Sequence, residues 1–221
     1  MGSTDASATP LSATALLLSL ADSRLPTGSH VHSGGVEEAI AQGLVRDCAT
    51  LNAYLRRRIR THGLVAASIA AAVTSGRLDP VRADAETDAR TPSQAARDAS
   101  RAQGRGLKRL AGSAWPHIEW RTYGRQPHLA VVYGIIGTAA GLSGRDIALV
   151  VVYTTLTGSA TAGQRLLALD PAEVAVGTLA LTGLCEETAT LASSGLACLS
   201  DPLLDVLAEQ HLARERPLFV S

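Results

Sequence analysis

Aromatic residues are nearly missing from this chain of 221 residues: one Phe, two Trp and four Tyr, 3% in all. With hydrophobic residues at 46%, the core has to be built from Ala, Leu and Val. That disfavours an aromatic-rich β-sandwich and suits closely packed helices. Cysteine is also scarce. Cys48, Cys185 and Cys198 form no C-x-x-C pair, which excludes a zinc ribbon and a disulfide framework, and they read as small, mostly buried hydrophobes. Net charge is zero, with 20 basic and 20 acidic residues. No global field steers the chain to nucleic acid, and little repulsion opposes self-association.

Other absences bound the function. There is no G-x-x-x-x-G-K-[ST] phosphate loop, Gly104-Arg105-Gly106 lacks the third glycine of a dinucleotide fingerprint, and no G-x-S-x-G elbow occurs. No local motif supports catalysis. Leu16-Leu17-Leu18 follows no basic residue, which argues against a secretory signal and for a cytoplasmic chain. The uncharged run Ile147–Gly163 spans 17 residues, the lower limit of the roughly 17–25 needed to cross a bilayer. Its hydroxyl residues and the Gln164-Arg165 that ends it predict a central buried helix and no membrane span. The β propensity of Val150–Thr155 leaves a buried strand as the alternative.

What is present points to an all-α fold, a single compact helical domain of roughly eight to ten helices over residues 11–221, after a flexible segment 1–10. Asp79-Pro80, Thr91-Pro92, Asp170-Pro171 and Asp201-Pro202 each put a capping side chain before a proline suited to the first helical position. Helices are expected over Leu11–Ala21, Gly34–Gln42 (stopped by Gly43), Leu51–Ser75 (capped by Thr50, stopped by Gly76), His128–Gly141, Arg145–Leu169 and Asp201–Arg216. Gly134, Gly137 and Gly141 offer one face for close helix approach. Residues 112–126 read as an irregular connection that buries Trp115 and Trp120.

The stretch Leu25–Ala39, LPTGSHVHSGGVEEA, is the most distinctive. Its glycines supply left-handed backbone angles, and Ser33 is placed to cap the helix that follows. His30 and His32 lie two apart, so an extended segment directs both imidazoles to one side. A metal site needs more ligands; His62, His128 and His211 are available, but nothing local orders them. Glu37 and Glu38 suit a helix start without any catalysis. The basic run Tyr54–Arg60 spreads its arginines around more than half a helix, a solvated or partner-facing surface and no clean nucleic-acid stripe.

Taken together, these positions resemble the urease accessory protein family UreF. Leu25, Pro26, Gly28, Ser33, Gly35 and Glu37 hold the places of its leucine-proline-glycine loop and helix start. Gly43, Val45 and a helix starting at Asp47 continue the pattern. Glu86-Thr87 with Arg90, Ser100-Arg101 with Gly104 and Leu107, His128 with Val131, Val132 and Gly134, and Gly163–Leu167 follow in order, and His211, Leu218, Phe219 and Ser221 close it. His30 and His32 stand where the family has aromatics, and Gly34 where it commonly has glutamine. The resemblance implies a helical scaffold without chemistry of its own and without a firmly bound cofactor, nickel being handled by the complex. It implies a homodimer that binds a UreH/UreD-type protein, the GTPase UreG and apo-urease, with neither nucleic acid nor membrane as partner. Its expected partner-binding residues are Pro26, Gly28, His30, His32, Ser33, Glu37, Gln164, Arg165, His211, Arg216, Leu218 and Phe219. Two other readings stand beside it: a metal-dependent hydrolase built on His30 and His32, and a chaperone that binds nickel directly through the same pair.

Overall fold

A computed structural model describes residues 13–22, 24–25 and 33–212. Its elements are α1 (Ala13–Leu20), α2 (Val36–Ala41), α3 (Cys48–Arg58), a π-helical turn (Ile59–Gly63), α4 (Leu64–Thr74), α5 (Pro80–Ala89), α6 (Gln94–Ala114), a 3₁₀ turn (Trp120–Tyr123), α7 (Leu129–Ala139), α8 (Gly144–Leu167), α9 (Pro171–Leu179), α10 (Thr182–Ser194) and α11 (Pro202–Leu212). The fold is all-α, and no strand occurs among the described residues. The strand considered for Val150–Thr155 is instead the middle of α8. There Thr154, Thr155 and Thr157 hydroxyls donate back to the carbonyls of Val150, Val151 and Tyr153 at 2.8–3.1 Å, so the β-branched residues satisfy their polar atoms inside the helix. No described helix is long and apolar enough to cross a membrane.

Helix starts follow local chemistry. The Asp79 carboxylate accepts from Val81 and Arg82 N–H, that of Asp170 from Ala172 N–H, and that of Asp201 from Leu203 N–H, each with proline next. Ser143 and Asp146 form a reciprocal capping box at α8. Two expected starts shift. Asp47, not Thr50, caps α3, because Thr50 sits three residues in and returns the bond as the other half of a capping box. Ser93, not Thr91, caps α6, since Arg97 Nη1 donates to the carbonyls of Thr91 and Pro92 (2.6 and 2.9 Å) and holds them outside the helix. Ser33 does not cap α2 either. Gly35 occupies that place at φ +86°, while the Ser33 hydroxyl is buried without a hydrogen-bond partner among the described residues. The helix expected over 51–75 is two α-helices joined by the π turn, and α6 runs on to Ala114, into the expected irregular connection. Trp120 is buried there and its indole N–H donates to the Trp115 carbonyl at 3.2 Å.

The core centres on α4, buried on every side by α7, α8 and α10. Small residues permit this. A Cβ at Gly134 would lie 2.5 Å from Val73 Cβ, one at Gly137 2.5 Å from Thr74 Oγ1, and one at Gly144 3.0 Å from the Ala71 carbonyl oxygen. Gly141 is not part of that face; at φ +66° it ends α7. The seam also carries a bond between helices, Thr74 Oγ1 to Gly134 O at 3.1 Å.

Candidate partner-binding surface

The last described helix is held by polar groups at regular intervals. Asp201, Asp205 and Glu209 recur every four residues, which places them along one side of α11. Asp201, buried, accepts from both Nε and Nη2 of Arg57, the latter at 2.6 Å. The Arg57 hydrogen bonds hold its carboxyl below the usual carboxylate range, against the opposing push of burial. Asp205 Oδ1 lies 3.4 Å from His62 Nε2, on the π turn. Glu209 Oε1 accepts from Ser93 Oγ at 2.7 Å and from Ala95 N–H at 3.0 Å. It thereby caps the α6 N-terminus from another element, and these donors keep its carboxyl low. At the end of α11, His211 Nε2 sits 3.7 Å from Glu37 Oε2 on α2, both side chains buried. Leu204, Leu207 and Ala208 fill the space beneath.

Beside this seam, Gly34 and Gly35 form a left-handed turn at φ +63° and +86°. Both Tyr54 Oη and Arg58 Nη1 donate to the Gly34 carbonyl, at 2.8 and 2.7 Å. A side chain at Gly34 would put its Cβ 2.5 Å from Arg58 Cζ, so the glycine meets two demands at once. The turn borders a cavity of about 200 Å³ whose walls include Arg58, His62, Ser159 and Leu204. The basic run is therefore not wholly a solvated face: Arg56 and Arg60 are exposed, Arg57 reaches α11, and Arg58 turns inward.

A second polar cluster joins α5, α6 and α7. His128 is fully buried; its Nε2 lies 2.9 Å from Asp88 Oδ1 and its Nδ1 3.0 Å from Ser100 Oγ. Burial pushes the His128 pKa down despite Asp88, so the ring is neutral: Nε2–H donates to Asp88 and the Ser100 hydroxyl donates to Nδ1. Arg101 donates to Asp84 Oδ2 at 2.9 Å, to Asp88 Oδ2 at 2.6 Å and to the Gln126 carbonyl at 2.8 Å. His128 N–H donates to Asp84 Oδ1 at 2.9 Å. A Cβ at Gly104 would stand 2.0 Å from the Pro127 carbonyl oxygen, so only glycine lets α6 meet this corner.

Two other readings of the cluster compete with bonds it already makes. Asp84, Asp88 and His128 offer ligand atoms within 4.8 Å of one another. However, Arg101 already occupies both carboxylates, and the His128 nitrogen near them carries its proton. The Ser100–His128–Asp88 row has the residue types of a hydrolytic triad, but Ser100 Oγ accepts Leu129 N–H at 3.3 Å and His128 N–H is spent on Asp84. The backbone N–H groups of His128 and Leu129 are thus both engaged by side chains. The cluster is a knot that fixes three helices.

Of the residues expected at a partner surface, Pro26, Gly28, His30, His32, Arg216, Leu218 and Phe219 lie outside the described residues. Ser33, Glu37 and His211 are buried, and Glu37 and His211 meet. Gln164, half-buried, and Arg165, exposed, lie on the last turns of α8, with no hydrogen bond or ion pair to that group. The three histidines considered as further metal ligands, His62, His128 and His211, each face a carboxylate: Asp205, Asp88 and Glu37. Sequence reading missed Asp84, Asp88 and Arg57; the four-residue spacing of the acids on α11 was the one local signal for that seam. Large apolar side chains stand exposed on α9 and α10, among them Val176, Leu179 and Leu191.

A sequence model of the UreF family matches residues 45–181. The chain is 66% identical over 207 residues to the urease accessory protein UreF of Mycobacterium marinum, covering 94% of this chain and 98% of that one. It is 65% identical over 214 residues to that of Mycolicibacterium vanbaalenii (96% and 100% covered) and 64% over 207 to that of Mycobacterium tuberculosis strain H37Ra (94% and 98%). The region matched by the family model holds α4 with its neighbours α7 and α8 and the whole Asp84–His128 knot, and the chain belongs to the UreF family of urease accessory proteins.

Proposed function

We propose that this protein is a non-catalytic scaffold for urease maturation in the cytoplasm. It bridges a UreH/UreD-type accessory protein, the GTPase UreG and apo-urease, and couples GTP hydrolysis to the insertion of nickel, which is the cargo of the assembly and no resident cofactor of this chain. The carrying observation is the similarity along nearly the full length to proteins named urease accessory protein UreF. The helical body gives the reading physical support: the Asp84–His128 cluster spends its polar groups on bonds between helices, and large apolar side chains stand exposed on α9 and α10, among them Val176, Leu179 and Leu191. Pro26, Gly28, His30, His32, Gln164, Arg165, Arg216, Leu218 and Phe219 are the proposed contact residues, with Ser33, Glu37 and His211 shaping the surface from beneath. The working unit is a homodimer.

Co-expression with the UreH/UreD-type protein and UreG tests this. The expected result is a co-purifying complex, together with urease that stays inactive in cells lacking this chain and recovers when it is restored. Failure to form a complex with either protein, with and without nickel and GTP, overturns the reading.

A further inference from the structure

Arg58 is an arginine turned into the protein without a carboxylate. Its Nη1 bonds to the Gly34 carbonyl, its Nε is buried with no hydrogen-bond partner, and it makes no ion pair among the described residues. Among nearby acids, Asp201 pairs with Arg57 and Glu86 with Arg90, while Asp205 faces His62 at 3.4 Å without a hydrogen bond and makes no ion pair with Arg58. Asp22 is the one carboxylate among the described residues lining the cavity beside Arg58, and Arg24 holds it, Nη2 to Oδ2 at 2.6 Å. Arg58 is half-buried, and withdrawing even part of a guanidinium from water without a counter-charge is costly, since arginine does not escape by losing its proton. Burial already presses on its ionisation, with only the phenol of Tyr54 pushing back.

We propose that the cavity of about 200 Å³ beside the Gly34–Gly35 turn receives a carboxylate group, which supplies the counter-charge to Arg58. The volume admits a small acid or the end of an aspartate or glutamate side chain. A single negative charge balances the single unpaired cation, whereas a dianion would meet repulsion from Asp22 in the same wall. Gly34 keeps its place without Arg58, because Tyr54 Oη still donates to its carbonyl at 2.8 Å.

The test is calorimetry and thermal unfolding of the full chain in sodium acetate against sodium chloride at equal ionic strength, with N-acetyl-glutamate amide as a second probe. Acetate at about a hundredfold over its Kd raises Tm by about 5–10 °C. Arg58→Met loses that response and, in chloride, melts no lower than the wild type, since it sheds an uncompensated charge. Tighter binding of the blocked glutamate than of acetate identifies a protein side chain as the natural source. Acetate binding with the blocked glutamate shut out identifies a free small acid. If neither probe binds the wild type beyond the chloride control, or if Arg58→Met responds as the wild type does, the proposal falls. Should Arg58→Met fail to fold, Arg58→Gln decides by calorimetry, and unchanged affinity overturns the site.

Discussion

The α4-centred core and the α11 seam hold helices together by opposite means. Around α4 the contacts are made by what is missing: Gly134, Gly137 and Gly144 let backbones approach until Val73, Thr74 and Ala71 fill the space. Along α11 the contacts are made by added groups, Asp201, Asp205 and Glu209, each engaging a different element. Close apolar packing ignores pH and salt but tolerates no added atom. Polar pairing tolerates volume changes but depends on protonation and on which partner is removed.

The largest effect is expected where an atom is forced into the first kind of contact. Gly134→Leu should destabilise by more than about 3 kcal/mol or abolish folding, read by chemical denaturation, because Val73 and the α4 backbone have nowhere to move. Gly104→Ala should approach it, since the obstacle at 2.0 Å is a main-chain carbonyl. A loss below about 1 kcal/mol at Gly134 would mean the core is looser than its geometry.

The seam should answer asymmetrically. Arg57→Ala leaves Asp201 buried without its cation and should cost about 2 kcal/mol, a reduced figure because Arg57 is half exposed. Asp201→Asn, which keeps a capping side chain before Pro202, frees a guanidinium that can turn to water and should cost about 1 kcal/mol. Equal losses would argue that the pair acts only as a surface bridge.

Acid separates the regions further. Asp201 and Glu209 both have carboxyls held below their ordinary range, so their contribution is full above the unfolded values, about 3.9 and 4.3, and disappears as pH falls through the lower folded values. Asp88 behaves likewise: burial pushes it up, but His128 and Arg101 prevail. His128 has a depressed value, so the knot's preference for the neutral ring is complete above about 6.5 and weakens below it. Hydrogen exchange corrected for intrinsic rates should therefore show α11 opening below about pH 4 while α4 stays protected. Synchronous loss would show that the seam and the core are one cooperative unit. The smallest effect belongs to the exposed apolar residues: Leu179→Ser should change stability by less than about 0.5 kcal/mol, and any loss of partner capture would then be a loss of contact.

Much of the fold was legible because caps are local. Asp79, Asp170, Asp201 and Ser143 announce their helices, and the shifts at Asp47 and Ser93 arose where two suitable hydroxyl or carboxylate residues stand within three positions of each other. Helix α10 carried no such sign; Leu181 precedes it without a side-chain cap. The knot was less legible. Ser100, Arg101, Gly104 and His128 each drew attention through family resemblance, but that they meet Asp84 and Asp88 depends on three helices packing, and on a glycine whose reason lies 23 residues away at Pro127. Arg58 had the plainest disguise: one arginine in a run of basic residues, with inward placement decided by Gly34.

The π turn at Ile59–Gly63 bears on all of this as a matter of phase. A single rod runs from Cys48 to Thr74, but its two halves are out of step, with one half timed to Gly34 and Asp201 and the other to the glycines of α7. Removing one residue, Thr61 for instance, would restore an even rotation and turn one half by about 100° against the other. Tyr54, Arg57 and Arg58 would then miss their marks together while α4 kept its own. The irregular turn is the gear that lets one helix serve two independent clocks.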